Sequence, residues 1–193
     1  MALYDTGGFE LTGAIFFSGK YGSTAQYAKW IGEATSLPVL DVNDANADPS
    51  KYDFLILGSS VMIYKLTIRK WVKRNLAGIE NKPVILFTVS GAPSGPKLDA
   101  WIADSLPENL TSEMEHVALR GRLDPKEINW WGRLILKIGA WKNDDPEAKK
   151  EELEGFDFMD KSSIEPIKGL VQQFQAGETT SSKLVDPSRV TLE

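Results

Sequence analysis

Small polar residues follow the first apolar segment of the chain, in the order Ser18-Gly19-Lys20-Tyr21-Gly22-Ser23-Thr24. The apolar run 14–17 precedes this loop, and a helical pattern begins at once after it. A loop between a strand and a helix aims backbone N–H groups and the positive end of the helix dipole at one point, which suits a phosphate. The two glycines would let the backbone come close to a ligand, and the hydroxyl side chains would add donors. The loop therefore predicts the binding of a phosphate-bearing ligand.

A plain turn is the alternative interpretation of the same loop, with Ser23 or Thr24 as the N-cap of the helix. The loop lacks the Gly-Lys-Ser/Thr ending of a Walker A sequence and the Gly-x-Gly-x-x-Gly pattern of dinucleotide-binding proteins. If it binds a ligand, we therefore expect a mononucleotide-type phosphate and no requirement for Mg²⁺.

Composition excludes several kinds of chemistry. The chain of 193 residues has no cysteine, which excludes disulfides, cysteine-ligated clusters and thiolate catalysis. His116 is its one histidine, which we interpret as a packed residue of a strand, and we predict no metal site. The net charge of −5 argues against general nucleic-acid binding. No apolar run reaches the roughly 18 residues of a membrane span, and no signal peptide is evident, so we expect a cytoplasmic protein with at most peripheral membrane contact.

Short apolar runs alternate with helical patterns along the chain. Strands are predicted at 14–17, 38–42, 52–58, 83–89 and 115–119, and helices at 23–36, 67–76, 97–105 and 164–174. Continuous apolar strands favour a parallel sheet that is covered on both faces. The pattern predicts an α/β fold, a three-layer, doubly wound, five-stranded parallel sheet. Ligands bind such sheets at the carboxyl ends of the strands, which selects the loops 18–24, 59–65 and 90–96.

The pattern changes after the fifth predicted strand. Residues 125–140 show the spacing of an amphipathic helix that includes Trp130 and Trp131, and the residues after it are acidic. We expect 125–158 to form a helical and acidic insertion within a single domain over 1–176, and 177–193 to form a flexible tail. The tryptophan-rich helix could lie at a membrane surface, cover a ligand, bind a partner or pack on the sheet.

These features resemble the flavodoxin family. In that family the first loop has a Thr/Ser-Gly-x-Thr ending that binds the FMN phosphate; here Gly22-Ser23-Thr24 fits, and Tyr21 replaces the first hydroxyl residue. The third strand runs into Gly58-Ser59-Ser60 and the fourth into Ser90-Gly91-Ala92-Pro93, at the two loops that flank the flavin ring in flavodoxins. The resemblance implies FMN as the cofactor. It implies these binding residues: Ser18, Gly19, Lys20, Tyr21, Gly22, Ser23, Thr24, Ser59, Ser60, Val61, Met62, Ile63, Tyr64, Ser90, Gly91, Ala92 and Pro93.

The second of these loops carries side chains that could cover a flat ring. Met62, Ile63 and Tyr64 offer apolar surface, and Tyr64 is the best candidate for stacking on a flavin. Gly91 in the third loop would allow the backbone to approach the ring. The alternatives are core packing for Met62 and Ile63, and for Tyr64 a partly buried position at the start of the next helix.

Two stretches are similar to the flavodoxin-like protoporphyrinogen oxidases: Leu-Gly-Ser-Ser-Val-Met-Ile-Tyr at 57–64, and 121–139, which begins Gly-Arg-Leu-Asp-Pro. Those enzymes pass electrons from a porphyrinogen to a quinone or another respiratory acceptor. The resemblance implies an FMN-dependent oxidoreductase with a redox partner protein or quinone-type acceptor, and a large apolar substrate near Trp130 and Trp131. The flavin would do the chemistry, so we assign no catalytic side chain. The alternatives are an electron carrier without a substrate of its own and a cofactor-free binding module.

Overall fold

The computed structural model describes residues 11–91, 93–123 and 155–176. Its sheet contains five parallel strands: β1 Gly13–Ser18, β2 Val39–Asp41, β3 Phe54–Met62, β5 Val84–Ser90 and β6 Glu115–Arg120. They lie side by side in the order β2-β1-β3-β5-β6. A short strand, β4 Lys65–Leu66, pairs antiparallel with the end of β3. The predicted five-stranded parallel sheet is confirmed.

Helices cover both faces of the sheet. One face carries α1 Ser23–Thr35 and α6 Glu165–Gln175, and the other carries α2 Arg69–Arg74, α3 Leu76–Ile79, α4 Pro96–Ala103 and α5 Glu108–Thr111. Short 3-10 helices precede β3, at Pro49–Lys51, and α6, at Lys161–Ile164. Within the described ranges no helix has the length and apolarity to span a bilayer.

Both layers of the core depend on the central strand β3. Leu55 and Leu57 point into the layer beneath α2 and α4, while Phe54 and Ile56 point into the layer beneath α1 and α6. All four side chains are fully buried, which explains why this strand is a continuous apolar run. The two layers fix β3 from both sides, and its carboxyl end is therefore a rigid base for a ligand site.

Three local predictions were wrong at their boundaries. The helix predicted over 67–76 is two helices, α2 and α3, separated at Asn75, whose side-chain amide donates to the carbonyl of Trp71 at 2.9 Å. The first four residues of the loop predicted at 59–65 continue β3, where Ser59 and Ser60 pair with Thr88 and Val89 of β5. The N-cap of α1 is neither Ser23 nor Thr24 but the residue before them, as described below.

A two-stranded antiparallel sheet lies beyond β6. Its strands are β7 Arg122–Leu123 and β8 Phe156–Asp157, with Arg122 opposite Asp157 and Leu123 opposite Phe156. The chain thus leaves the described part and re-enters it at the same place, and β8 falls within the stretch 125–158 that was predicted to be a helical and acidic insertion. The predicted helix at 125–140, with Trp130 and Trp131, and the predicted tail lie outside the described residues.

His116 is a packed strand residue, as the sequence analysis proposed. It lies on β6, its Nε2 atom is 2.9 Å from the hydroxyl oxygen of the buried Thr88, and the side chain is half-buried. Burial lowers its pKa from the ordinary value of 6.5, an effect that the carboxylate of Asp99 partly opposes.

This lowered pKa predicts a loss of stability in mild acid. The unfolded chain binds a proton at His116 below pH 6.5, whereas the folded chain does so only at lower pH, so stability falls as pH drops through that window. Hydrogen bonds from Thr12 lower the pKa of Asp53 from its ordinary value of 3.8. The contribution of this carboxylate to the unfolding free energy is therefore lost only at a more acidic pH than that of His116. We expect His116→Gln to flatten the slope of unfolding free energy between about pH 7 and pH 5, as measured by urea denaturation. An unchanged slope would show that His116 is not the titrating group.

Candidate functional site

The loops that follow β1, β3 and β5 begin side by side at one edge of the sheet. Ser18 is the register partner of Ser59, Ser59 is that of Thr88, and Ser90 at the end of β5 pairs with Arg120. The direction in which the chain adds strands reverses between β1 and β3, and ligands of doubly wound sheets bind at such a reversal. The structure therefore brings together the three loops that the sequence analysis selected.

The first loop is shaped as an anion site. Its Gly22 is the N-cap of α1 with a φ of 86°, a left-handed conformation that favours glycine. A Cβ atom on Gly22 would meet nothing within 4 Å, so this side of the loop is open. The first intrahelical bond runs from the N–H of Gln26 to the carbonyl of Gly22, which leaves the earlier N–H groups of the 13-residue α1 for a ligand.

Some side chains of the first loop contact the rest of the protein, and others lie on the open side of the loop. Thr24 is almost fully buried, and its Oγ1 lies 3.0 Å from where a Cβ of residue 19 would stand, so only glycine fits there. The hydroxyl of Ser23 accepts from the backbone N–H of Arg122 at 3.2 Å, which ties β7 to the start of α1. Lys20 is exposed and its ammonium lies 5.5 Å from the ring centroid of Tyr21. Backbone N–H groups and Lys20 are thus the donors best placed for an anion.

Thr67 joins the first two loops. Its hydroxyl donates to the carbonyl of Ser18 at 2.7 Å and, with its one proton used there, accepts from Ser60 Oγ at 3.2 Å. Ser59 Oγ donates to the carbonyl of Ser60 at 3.0 Å and accepts from the N–H of Ile68 at 3.3 Å. Ser59 Oγ also lies 3.3 Å from Thr67 Oγ1, so both serine hydroxyls have partners within the protein.

The sequence analysis missed Thr67, although the hairpin offered a signal. Val61 faces Leu66 and Met62 faces Lys65, so the next pair along the ladder is Ser60 and Thr67. The backbone N–H of Thr67 donates to the carbonyl of Ser60 at 3.0 Å, which confirms that pairing. If the hairpin had been recognised in the sequence, Ser59, Ser60 and Thr67 would have been placed next to one another.

The tip of this hairpin is strained and exposed. Ile63 and Tyr64 form its two-residue turn with φ values of 48° and 61°, a combination that normally requires Asn-Gly. A β-branched residue in this conformation is a genuine outlier. Both side chains are more than 60% exposed, at 64% and 63%, so core packing does not account for them. Strain of this kind is concentrated at functional sites.

Contacts with α4 fix the position of the hairpin. The ring centroids of Tyr64 and Trp101 are 5.3 Å apart, Lys65 forms a 3.1 Å ion pair with Asp104, and the N–H of Leu66 donates to Ser105 Oγ at 3.0 Å. Tyr64 therefore does not open the next helix. It stands between the hairpin and the helix that follows the third loop, where its ring could cover a ligand.

An aromatic residue from β8 lies against the third loop. A Cβ on Gly91 would come 2.7 Å from Cζ of Phe156, so the ring packs directly on this glycine. Phe156 stacks on Phe158 with centroids 5.0 Å apart, and the guanidinium of Arg120 lies 3.8 Å from the Phe158 ring centroid. This stack was not predicted from the sequence, in which it is indicated only by a pair of phenylalanines in an acidic stretch. Ala92, predicted in the same loop, lies outside the described residues.

The sequence matches the Flavodoxin domain family over residues 14–150, most of the chain. The chain belongs to this family. Its flavodoxin-like fold is thereby established, and membership indicates FMN as the cofactor. The arrangement fits a flavin mononucleotide, because an open helix N-terminus, a cation and an apolar tip lie around one edge of the sheet.

Solved structures provide distant likenesses to this flavodoxin domain. A flavodoxin from the domain Archaea is 15% identical, with 84% of this chain and 99% of that chain covered and a TM-score of 0.44. The two-electron reduced flavodoxin of Megasphaera elsdenii is 23% identical, with 55% and 82% covered and a TM-score of 0.43. No curated protein sequence matches the chain significantly.

Proposed function

We propose that this flavodoxin-domain protein is an FMN-dependent oxidoreductase that transfers electrons. The observation that carries the proposal is the convergence of three loops, two of them tied by the Thr67 hydroxyl, at the reversal point of the sheet. Bound FMN supplies the ability to accept and release electrons. The protein binds it, orients it and limits its contact with water.

Each loop has a distinct task in this proposal. The N–H groups at the start of α1, together with the charge of Lys20, bind the phosphate, while Ser23 and Thr24 maintain the loop. Tyr64 covers one face of the ring, and the third loop, on whose Gly91 the Phe156 ring packs, borders the other side. The Phe156 side chain fills the space above Gly91 and so limits how far the flavin ring can enter the site.

Electron transfer is tested with the purified protein loaded with FMN. Chemical reduction under anaerobic conditions should bleach the flavin absorbance, and addition of ferricyanide should restore it within the mixing time, with two equivalents consumed for each flavin. A protein that binds FMN but does not exchange electrons with ferricyanide would contradict this function.

A protoporphyrinogen-oxidase-like activity is the second candidate. Its support is the similarity of 57–64 and 121–139 to those enzymes and the position of β7 and β8, which bring both ends of the inserted segment next to the third loop. In this version a large apolar substrate binds near the flavin, close to Trp130 and Trp131, and a quinone accepts the electrons. Fluorescence of protoporphyrin formed from protoporphyrinogen with a soluble quinone tests it, because turnover above the uncatalysed rate is required.

Two alternative functions would give different results in these experiments. An electron carrier would show electron exchange without turnover of protoporphyrinogen. A cofactor-free binding module, suggested by Tyr21 in place of a small hydroxyl residue, would show no uptake of FMN at all. The cytoplasmic location stays a prediction.

A further inference from the structure

Positive charge is concentrated in one stretch of an acidic chain. Residues 54–79 contain five basic residues and no acidic one, although the whole chain has a net charge of −5. Four of the five lie within the six residues of α2, Arg69-Lys70-Trp71-Val72-Lys73-Arg74. Such a local excess is unlike the mixed charges of an ordinary solvated face.

Contacts separate these cations into two groups. Lys65 pairs with Asp104, and Arg69 donates from Nη1 to the carbonyl of Leu66 at 2.7 Å. The other three, Lys70, Lys73 and Arg74, are exposed and line one surface groove. Their i, i+3, i+4 spacing places them on one side of the helix. We call these three residues the α2 basic face.

The positive charges of the α2 basic face are not neutralised by nearby carboxylates of the described residues. Among the described residues no carboxylate lies within 4.0 Å of its three side chains. Like charges at this spacing repel each other along a helix. Lys73 and Arg74 stand in the last turn, where the helix dipole favours cations, but Lys70 stands in the first turn, where the dipole opposes it and no acidic residue is present. Helix stability alone therefore does not explain the whole set.

The helix that carries the α2 basic face begins next to the candidate flavin site. The N–H of Ile68, which directly precedes α2, donates to Ser59 Oγ at the carboxyl end of β3. Arg69 contacts the backbone of the hairpin whose tip exposes Ile63 and Tyr64. The helix that carries the α2 basic face thus begins beside the apolar tip, as a charged rim adjoins an apolar interface centre.

We propose that the α2 basic face and the Ile63–Tyr64 tip form a docking surface for an acidic electron-transfer protein. This inference rests on the proposed function, because docking here brings a partner to the flavin. A compact acidic patch complements three cations, whereas the net charge of −5 repels an extended polyanion such as a nucleic acid or an anionic bilayer. Complementary charge would act mainly on the rate and orientation of encounter.

The test is an NMR titration of the ¹⁵N-labelled full chain, with and without FMN, using a plant-type ferredoxin as the acidic probe. We expect saturable chemical-shift changes centred on 63–74, and weaker binding when NaCl is raised from about 10 to about 200 mM. The variant K70Q/K73Q/R74Q should bind about tenfold more weakly. The matched control K29Q/K51Q/K161Q removes three exposed lysines elsewhere and should stay within about twofold of wild type.

Several results would overturn the docking surface. They are the absence of saturable binding at low salt, shifts centred elsewhere, and equal weakening in the two triple variants. Tighter binding to phosphatidylserine-containing vesicles or to a thymidine oligonucleotide than to ferredoxin, lost in K70Q/K73Q/R74Q, would assign the face to lipid or nucleic acid instead. If FMN fails to bind while ferredoxin still shifts 63–74, the proposed function fails and the surface stands.

Discussion

Replacement of Ile63 by Asn and Tyr64 by Gly should make the protein more stable and a weaker binder of FMN. Asn-Gly is the preferred pair for a turn in which both residues have positive φ, as these do at 48° and 61°. Each strained non-glycine residue costs about 1–3 kcal/mol, and the lost contact between Tyr64 and Trp101 offsets about 0.5–1.5 kcal/mol of the gain. The strain released at the two residues exceeds this loss, so we expect the unfolding free energy in urea to rise by at least about 0.5 kcal/mol.

The same double variant should raise the Kd for FMN about tenfold, because it removes the Tyr64 ring that is proposed to cover the flavin. Ile63→Asn alone is the matched control, since it relieves strain at the β-branched residue and keeps Tyr64. It should be stabilised with little change in affinity. If neither variant gains stability, the turn is not strained; if the double variant binds FMN as tightly as wild type, Tyr64 does not cover the ring.

Replacement of Thr67 by Val should separate the first loop from the hairpin. The change preserves the shape of the side chain but leaves the carbonyl of Ser18 and the hydroxyl of Ser60 without their partner, at a cost of about 1–3 kcal/mol in unfolding free energy. We expect FMN affinity to fall about tenfold, because Thr67 holds in register the two loops that are proposed to bind the phosphate and the ring.

Thr67→Ser retains the hydroxyl and should restore most of the affinity and stability. A purely structural role would lower the midpoint of unfolding and leave the affinity of the folded protein for FMN unchanged. Flavin fluorescence titration at a temperature where each variant is fully folded distinguishes the two roles. Unaltered FMN binding by Thr67→Val would remove Thr67 from the site.

The sequence predicted the parallel sheet well because its signal is local. Leu55, Leu57 and their neighbours are buried on both faces, which produces the uninterrupted apolar run by which β3 was recognised. The end of the same strand was missed, since Ser59 and Ser60 are polar and the following turn is Ile-Tyr rather than Asn-Gly. That turn departs from local preference, and such departures are expected at functional sites.

The sequence located the three loops at one edge of the sheet but not the residues that support them, and the role of the loops in binding stays a prediction. The carboxyl ends of parallel strands must meet at one edge, so the position of Ser18, Ser59 and Ser90 followed from topology. Phe156 contacts Gly91 from 65 positions away in the chain, and no spacing rule predicts such a contact. The hydrogen bonds that join Ser59 and Ser60 to Thr67 could not be predicted either, because a sequence gives no information on where a hydroxyl proton is donated.

Titration of the flavin-free protein with FMN, with riboflavin as the comparison, tests the central claim most directly. Because the first loop is the proposed phosphate site at the start of α1, we expect one FMN bound per chain with a Kd of about 1 μM or lower and quenched flavin fluorescence. Riboflavin, which lacks the phosphate, should bind at least about tenfold more weakly. The absence of FMN binding, or equal affinity for both flavins, would contradict the account.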